Sequence, residues 1–205
     1  MQLRVTGKLI VDNRMDTPCV ILAGGASRRF GAPKGLALLN GVPLLQHVAT
    51  ALRAQVSGPI ILNAPSDGSY AACGIASIDD MLAGSLGPLA GIHTAMRWAE
   101  GQGYPSVLTA PVDAPFLPVD LVFQLTKAGT PSVAQSLGRI HSVCGLWSVA
   151  EAAGLEEFLQ SGQRKAETWV RSVGAEPVDF AVCDGRDPFF NINTPRDAER
   201  AQKSI

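Results

Sequence analysis

A chain of 205 residues with a net charge of −1, 46% apolar and 17% charged, is sized and balanced for one ordinary globular domain with a substantial core. That balance argues against a disordered chain and against a nucleic-acid-coating surface, which would be strongly basic. No apolar run is long enough for a membrane span, and Lys8, Asp12, Asn13, Arg14 and Asp16 leave no apolar stretch for a secretory leader.

Residues 1–17 read as an N-terminal extension and 18–205 as a single domain. Cys19–Leu22 is a short apolar run with the texture of a buried parallel strand. It empties into a loop holding Gly24, Gly25, Ser27, Arg28, Arg29, Gly31 and Lys34. Glycines let backbone N–H groups approach an anion where a Cβ would clash. Arg and Lys then neutralise a charge-dense ligand such as a nucleoside triphosphate. A plain strand-to-helix turn with solvated arginines is the competing reading, and the closeness of three cations to the glycines favours phosphate. The loop is not a Walker A motif, because Ala32 and Pro33 separate Gly31 from Lys34, and it lacks the Gly-x-Gly-x-x-Gly spacing of a dinucleotide site.

Pro43 opens a helix with Leu44, Leu45, Val48, Leu52 and Val56 on one face. Strands follow at 59–63 and 76–78, then a helix after Gly87-Pro88 with Leu89, Ile92, Met96 and Ala99 in register. A further strand at 107–110 ends in Pro111-Val112-Asp113-Ala114-Pro115. A carboxylate at a strand's C-terminal end meets phosphates only through a cation, and Mg²⁺ suits that role; capping of the helix that starts near Pro118 is the alternative. Residues 132–135 and 140–147 pair as antiparallel strands around Leu137-Gly138-Arg139. Helices near 151–159 and 167–173, a strand at 177–182, and a terminal helix with Thr194 at its N-cap and Pro195 at N1 complete the chain. The alternation predicts an α/β fold: a three-layer, Rossmann-like, open and mainly parallel sheet with ligands beyond the strands' C-terminal ends, plus a small antiparallel element on the substrate side. Four cysteines, Cys19, Cys73, Cys144 and Cys183, form no Cys-x-x-Cys pair and read as free thiols in a reducing cytoplasm. His47 and His93 fall within helices and read as structural or exposed.

The 21–39 run resembles the signature loop of the sugar-nucleotidyltransferase-like family, nearest to its molybdenum cofactor guanylyltransferase branch, written Leu-Ala-Gly-Gly-x-Ser-x-Arg-Met-Gly-x-x-Lys. Phe30 stands where methionine is usual and Pro33 where an acidic residue often precedes the lysine. Three further segments match in order: Asp113 in a metal-binding Asp-x-Pro turn, Gly87-Pro88-Leu89-Ala90-Gly91, and Asn191-Ile192-Asn193-Thr194-Pro195. Val112 replaces the usual cysteine before the aspartate, and Arg139-Ile140-His141-Ser142 departs from a frequent His-Pro. The resemblance spans about residues 18–202 and implies the nucleotide-diphospho-sugar transferase type of sheet. It implies that Leu22, Ala23, Gly24, Gly25, Lys34, Asn63, Asp80 and Asp113 contact nucleotide, with Asp79 as the neighbouring register for Asp80. It further implies Lys34, Arg28 and Asp113 in catalysis, Asp113 on Mg²⁺, and His141, Asn191 and Asn193 toward the acceptor.

The activity so implied is transfer of GMP from GTP to the molybdenum–molybdopterin cofactor, with release of pyrophosphate. In the family, glycine at the position of Gly25 goes with GTP and alanine with CTP. A cytidylyltransferase for the same cofactor, a sugar-1-phosphate nucleotidyltransferase and a non-catalytic cofactor carrier are the alternatives. Expected partners are GTP, the molybdopterin cofactor and molybdoenzyme apoproteins or their chaperones, with neither nucleic acid nor membrane.

Overall fold

The computed structural model describes residues 14–24, 33–84, 86–183 and 185–202. The expectations placed on Gly25 and Arg28, and most of the 1–17 extension, fall outside the described residues. In chain order the elements are β1 (Cys19–Leu22), β2 (Leu38–Leu39), β3 (Val42–Pro43), α1 (Leu44–Arg53), β4 (Ile60–Asn63), β5 (Ser77–Ile78), α2 (Pro88–Gly101) and β6 (Ser106–Pro111). After these come α3 (Leu121–Ala128), β7 (Ser132–Ser136), β8 (Arg139–Ser148), α4 (Ala152–Gln160), α5 (Ala166–Ser172), β9 (Glu176–Asp179) and α6 (Pro195–Gln202).

Seven strands form one sheet in the order β5-β4-β1-β6-β8-β7-β9, and β2 and β3 pair separately. β1 lies centrally, parallel to β4 on one side and β6 on the other. Its four residues are all buried, which is why its sequence is a continuous apolar run with no alternation. The pleat sends Cys19 and Ile21 to one face, against Leu45, Val48 and Leu52 of α1 and Leu121 and Leu125 of α3. Val20 and Leu22 go to the other, against Leu89, Ile92 and Met96 of α2 and Leu155 of α4. Each such buried Leu, Ile or Val contributes about 1.5–3 kcal/mol relative to exposure. A third cluster seats α6 on β2, through Leu39, Leu44, Ile192, Ala198 and Ala201. Among the described residues, no helix is long and apolar enough to cross a membrane.

The expected antiparallel element is built into the central sheet: β8 runs antiparallel to both β6 and β7, and β9 then adds parallel to β7. Its turn places Leu137 at φ 49° and Gly138 at φ 72°, the paired positive values of a tight hairpin whose twist matches its strands. Two helix starts differ from the sequence expectation. Pro43 sits at the N-cap of α1, outside the helix, because it is still opposite Leu38 in β3 and the Leu44 N–H after it donates to Ala37 O at 2.9 Å. α3 begins at Leu121, three residues after Pro118, where a turn closes from Leu121 N–H to Pro118 O at 3.2 Å. The side chain of Gln55 fixes that start. Its Oε1 accepts the Val122 N–H at 3.0 Å while its Nε2 donates to Pro118 O at 2.9 Å.

Candidate active site

The C-terminal ends of β1, β4 and β6 converge on one edge of the sheet, and the candidate residues are carried there by strand register. Leu22 lies opposite both Asn63 and Pro111. Just past β1 the Ala23 N–H donates to Asn63 O at 2.9 Å, and the Val112 N–H donates to Leu22 O at 3.1 Å. Gly24 therefore emerges between the ends of two neighbouring strands.

Asn63 is 3% exposed and organises one half of the site. Its Nδ2 donates to Asp80 Oδ1 at 2.9 Å. The adjacent carboxylate serves elsewhere: Asp79 Oδ1 accepts the Ser66 N–H at 2.8 Å, so Asp80 is the aspartate turned toward Asn63. The Oδ1 of Asn63 lies against glycine on two sides. A Cβ on Gly91 would fall 2.5 Å from it, and a Cβ on Gly24 would fall 3.6 Å from it. The first distance has no room for a side chain, so the glycine in the first turn of α2 is a packing requirement for the asparagine. Gly87, at φ 74°, makes the turn into α2.

The other half is a polar trio drawn from distant parts of the chain. The Lys34 ammonium donates to Asp113 Oδ2 and, at 2.6 Å, to Asn193 Oδ1. The lysine is held by its neighbour. Gly35 is buried, its N–H donates to the Tyr70 hydroxyl at 3.2 Å, and a Cβ there would lie 2.8 Å from Val112 Cγ2 and 2.9 Å from Tyr70 Cε1. Burial raises the Tyr70 pKa above the ordinary phenol value, which keeps the hydroxyl protonated. Asp113 occupies the turn after β6, and its carbonyl accepts the Ile192 N–H at 2.9 Å, which ties the C-terminal segment to the turn. Asn193 is oriented by the cap of α6. Its N–H donates to Asp197 Oδ2 at 3.0 Å, the Thr194 hydroxyl donates to the same oxygen at 2.9 Å, and the Asp197 N–H returns to Thr194 Oγ1 at 3.2 Å.

Asp113 Oδ1 is buried without a hydrogen-bond partner among the described residues. A spare buried carboxylate oxygen is costly unless something fills it. No group of three or more His, Cys, Asp or Glu side chains stands ready to cage a metal among the described residues. That donor set fits Mg²⁺, which accepts one or two carboxylates and completes its shell with phosphate oxygens and water. It does not fit a closed structural metal site.

Beside this edge lies a cleft of about 350 Å³, lined by Pro111, Arg139, His141, Lys165, Phe189 and Asn191 among others. β8 runs antiparallel to β6 with Gly145 opposite Thr109, so the residues before Val143 continue past Pro111 at the end of β6. Of the three expected acceptor residues, His141 and Asn191 thus meet in the cleft, whereas Asn193 stands with Lys34 and Asp113. Lys165 and Phe189, like Gly35 and Tyr70, carry no local sequence signal of a site. Only Asp197 left a local signal, as the fourth residue of a Thr-x-x-Asp capping box. His47 is structural as expected, with its Nε2 on Leu39 O at 3.0 Å. His93 is 2% exposed, and burial pushes its pKa below the ordinary 6.5.

Residues 19–178 match the MobA-like NTP transferase domain. The chain is 42% identical over 186 residues to the molybdenum cofactor guanylyltransferase of Acidiphilium cryptum, covering 89% of this chain and 92% of that one. It is 40% identical over 200 residues to the enzyme of the same name from Rhizobium leguminosarum bv. trifolii, covering 93% of each. Among solved structures it resembles molybdopterin-guanine dinucleotide biosynthesis protein A of Archaeoglobus fulgidus, with a TM-score of 0.67, 23% identity, and coverage of 91% of this chain and 97% of that one. A protein of Aquifex aeolicus VF5 aligns with a TM-score of 0.72 at 22% identity over 88% of this chain and 94% of its own. At those identities the two structures speak for the fold alone.

Proposed function

The chain belongs to the MobA-like NTP transferase family, and from that premise we propose that it transfers GMP from GTP to the molybdenum–molybdopterin cofactor. The supporting observation is the convergence of Lys34, Asp113 and Asn193, separated by 79 and 159 residues in sequence, at the C-terminal edge of the parallel strands. Such a trio suits charge neutralisation on phosphates, and the relatives' names supply guanine and the cofactor.

In this reading, residues 18–205 form one nucleotidyltransferase domain. The triphosphate of GTP lies over Gly24 and the glycine-rich loop that follows it, with Arg28 and Lys34 as its cations. Asn63 and Asp80 sit toward the nucleoside. Asp113 would hold Mg²⁺ through Oδ1, which has no hydrogen-bond partner among the described residues, and the ion would withdraw charge from the phosphates. Lys34 exchanges its bond to Asp113 for one to phosphate as the nucleotide enters. The cleft of His141 and Asn191 takes the acceptor, whose terminal phosphate oxygen bonds to the α-phosphorus of GTP. The bond from that phosphorus to the bridging oxygen breaks, and pyrophosphate leaves with the electron pair. No covalent nucleophile on the protein is needed, because the acceptor phosphate is already an anion. Positioning and charge neutralisation supply the acceleration. Four free cysteines suit a reducing cytoplasm as the site of the reaction.

Asp113→Asn tests the metal assignment. The amide keeps the shape and removes the charge, so GMP transfer should become undetectable and Mn²⁺ binding in the presence of GTP should weaken at least tenfold, as read by electron paramagnetic resonance. Wild-type Mn²⁺ affinity in the variant would make Asp113 a turn residue and not a ligand.

A further inference from the structure

Behind His141, which lines the cleft, runs a hydrogen-bond chain whose polarity can be deduced. The Ser136 hydroxyl is 2.7 Å from Asp187 Oδ1 and 2.7 Å from His141 Nε2. Serine has one proton to give, and an ionised carboxylate can only accept. The proton therefore points to Asp187, and Ser136 Oγ receives a hydrogen bond from His141. His141 Nε2 must carry hydrogen. Burial lowers the His141 pKa, which favours the neutral ring, and in the neutral ring the single proton is the one on Nε2. Nδ1 is left with a bare lone pair.

The ring's surroundings direct that lone pair. Ser136 is fully buried and holds the Nε2 edge inward. The Phe189 ring covers one face of the imidazole, stacked at 4.5 Å with 28° between planes. Asp187 Oδ1 sets this stack as well, because it accepts the Phe189 N–H at 2.9 Å. His141 lines the cleft and is 9% exposed, and with its Nε2 edge held inward the Nδ1 edge is the one left to meet a ligand. Its cationic neighbours in the cleft, Arg139 and Lys165, are donors only.

We infer that His141 reads a ring N–H of the acceptor through its Nδ1 lone pair, and that Ser136 and Asp187 are positioning residues that fix the tautomer. The ligand class is a planar heterocycle with N–H donors on one edge, as on the aminopyrimidinone edge of a pterin. Arg139 and Lys165 then face its anionic groups. The inference rests on the cleft being the acceptor site, and it adds how that site selects.

Histidine labelled with ¹⁵N gives a test that needs no turnover. Long-range ¹H–¹⁵N spectra, with the His141 signals assigned by their loss in His141→Gln, should show Nε2 protonated and Nδ1 bare near neutral pH. Addition of 6-hydroxymethylpterin should move the Nδ1 signal more than Nε2. Ser136→Ala should remove the tautomer bias and raise KM for molybdopterin about tenfold, the worth of one buried hydrogen bond, while KM for GTP stays unchanged. A protonated Nδ1 in the wild type, an unmoved Nδ1 signal, or an unchanged acceptor KM in a folded Ser136→Ala protein would each overturn the inference. A wild-type protein that transfers no nucleotide yet shows the pterin-dependent shift would instead overturn the transferase reading and leave His141 in its role.

Discussion

Lys34 bonds to Asp113 and to Asn193, and in the proposed reaction a bound triphosphate rearranges these contacts. In the proposed reaction this ammonium, which meets the Asp113 carboxylate in the free protein, would pass to phosphate as nucleotide and metal arrive. Lys34→Ala should therefore lower kcat/KM for GTP by about 10² or more, because a cation acting on the developing charge is lost. Steady-state kinetics on the folded variant decide this, and near-wild-type kcat/KM would remove Lys34 from the phosphate role. At this scale the sequence was informative where a residue's chemistry is unusual for its place. Lys34 after a glycine loop, Asp113 at a strand end and Asn193 before a capped helix were all visible there. Gly35 and Tyr70 were not. Their importance lies in a contact across 35 residues in which a Cβ would strike the phenol ring, and no local pattern encodes that.

Among the elements, the β7–β8 hairpin has a residue at odds with its conformation. Leu137 is 73% exposed, so packing gives little in return for holding a leucine at φ 49° beside Gly138. Asn tolerates this region far better, and Asn-Gly is the favoured pair for such a turn. Leu137→Asn should raise unfolding stability by about 0.5–1 kcal/mol in urea melts, with the m-value unchanged. A loss of stability would mean that the leucine side chain packs more than its exposure implies. The hairpin itself was legible because Leu137-Gly138 interrupts two β-rich runs. The start of α3 was not, because Gln55 on the far side of the sequence determines it. The cleft was the least legible element of all. β8, the segment before α5 and the stretch before α6 each contribute part of it.

Over the whole molecule, the buried strands and the glycine-marked helix starts were readable because a parallel sheet covered on both faces demands long apolar runs. The order of strands beyond β6 was not, since an antiparallel β8 between β6 and β7 is a tertiary choice. The same burial shapes the response to acid. His93 and His141 are both held below the ordinary 6.5, mainly by desolvation. A histidine with a lowered folded pKa binds fewer protons folded than unfolded between the two values. Its stabilising contribution is complete above 6.5 and is lost as the pH falls through the lower folded value. Thermal stability should decline on acidification below 6.5, and His93→Gln should flatten that decline. An unchanged slope in the variant would place the acid sensitivity elsewhere.

The proposed reaction joins GMP to a pterin phosphate at this edge of the sheet. Equal GTP and CTP offered together with molybdopterin and Mg²⁺, followed by mass analysis of the pterin product, tests it most directly. The account predicts a guanine dinucleotide in at least about tenfold excess over the cytosine form, since a pocket built for one base's hydrogen-bonding edge leaves buried polar groups unpaired with another. A predominantly cytosine product would contradict the assigned nucleotide, and the absence of any pterin dinucleotide would contradict the assigned reaction.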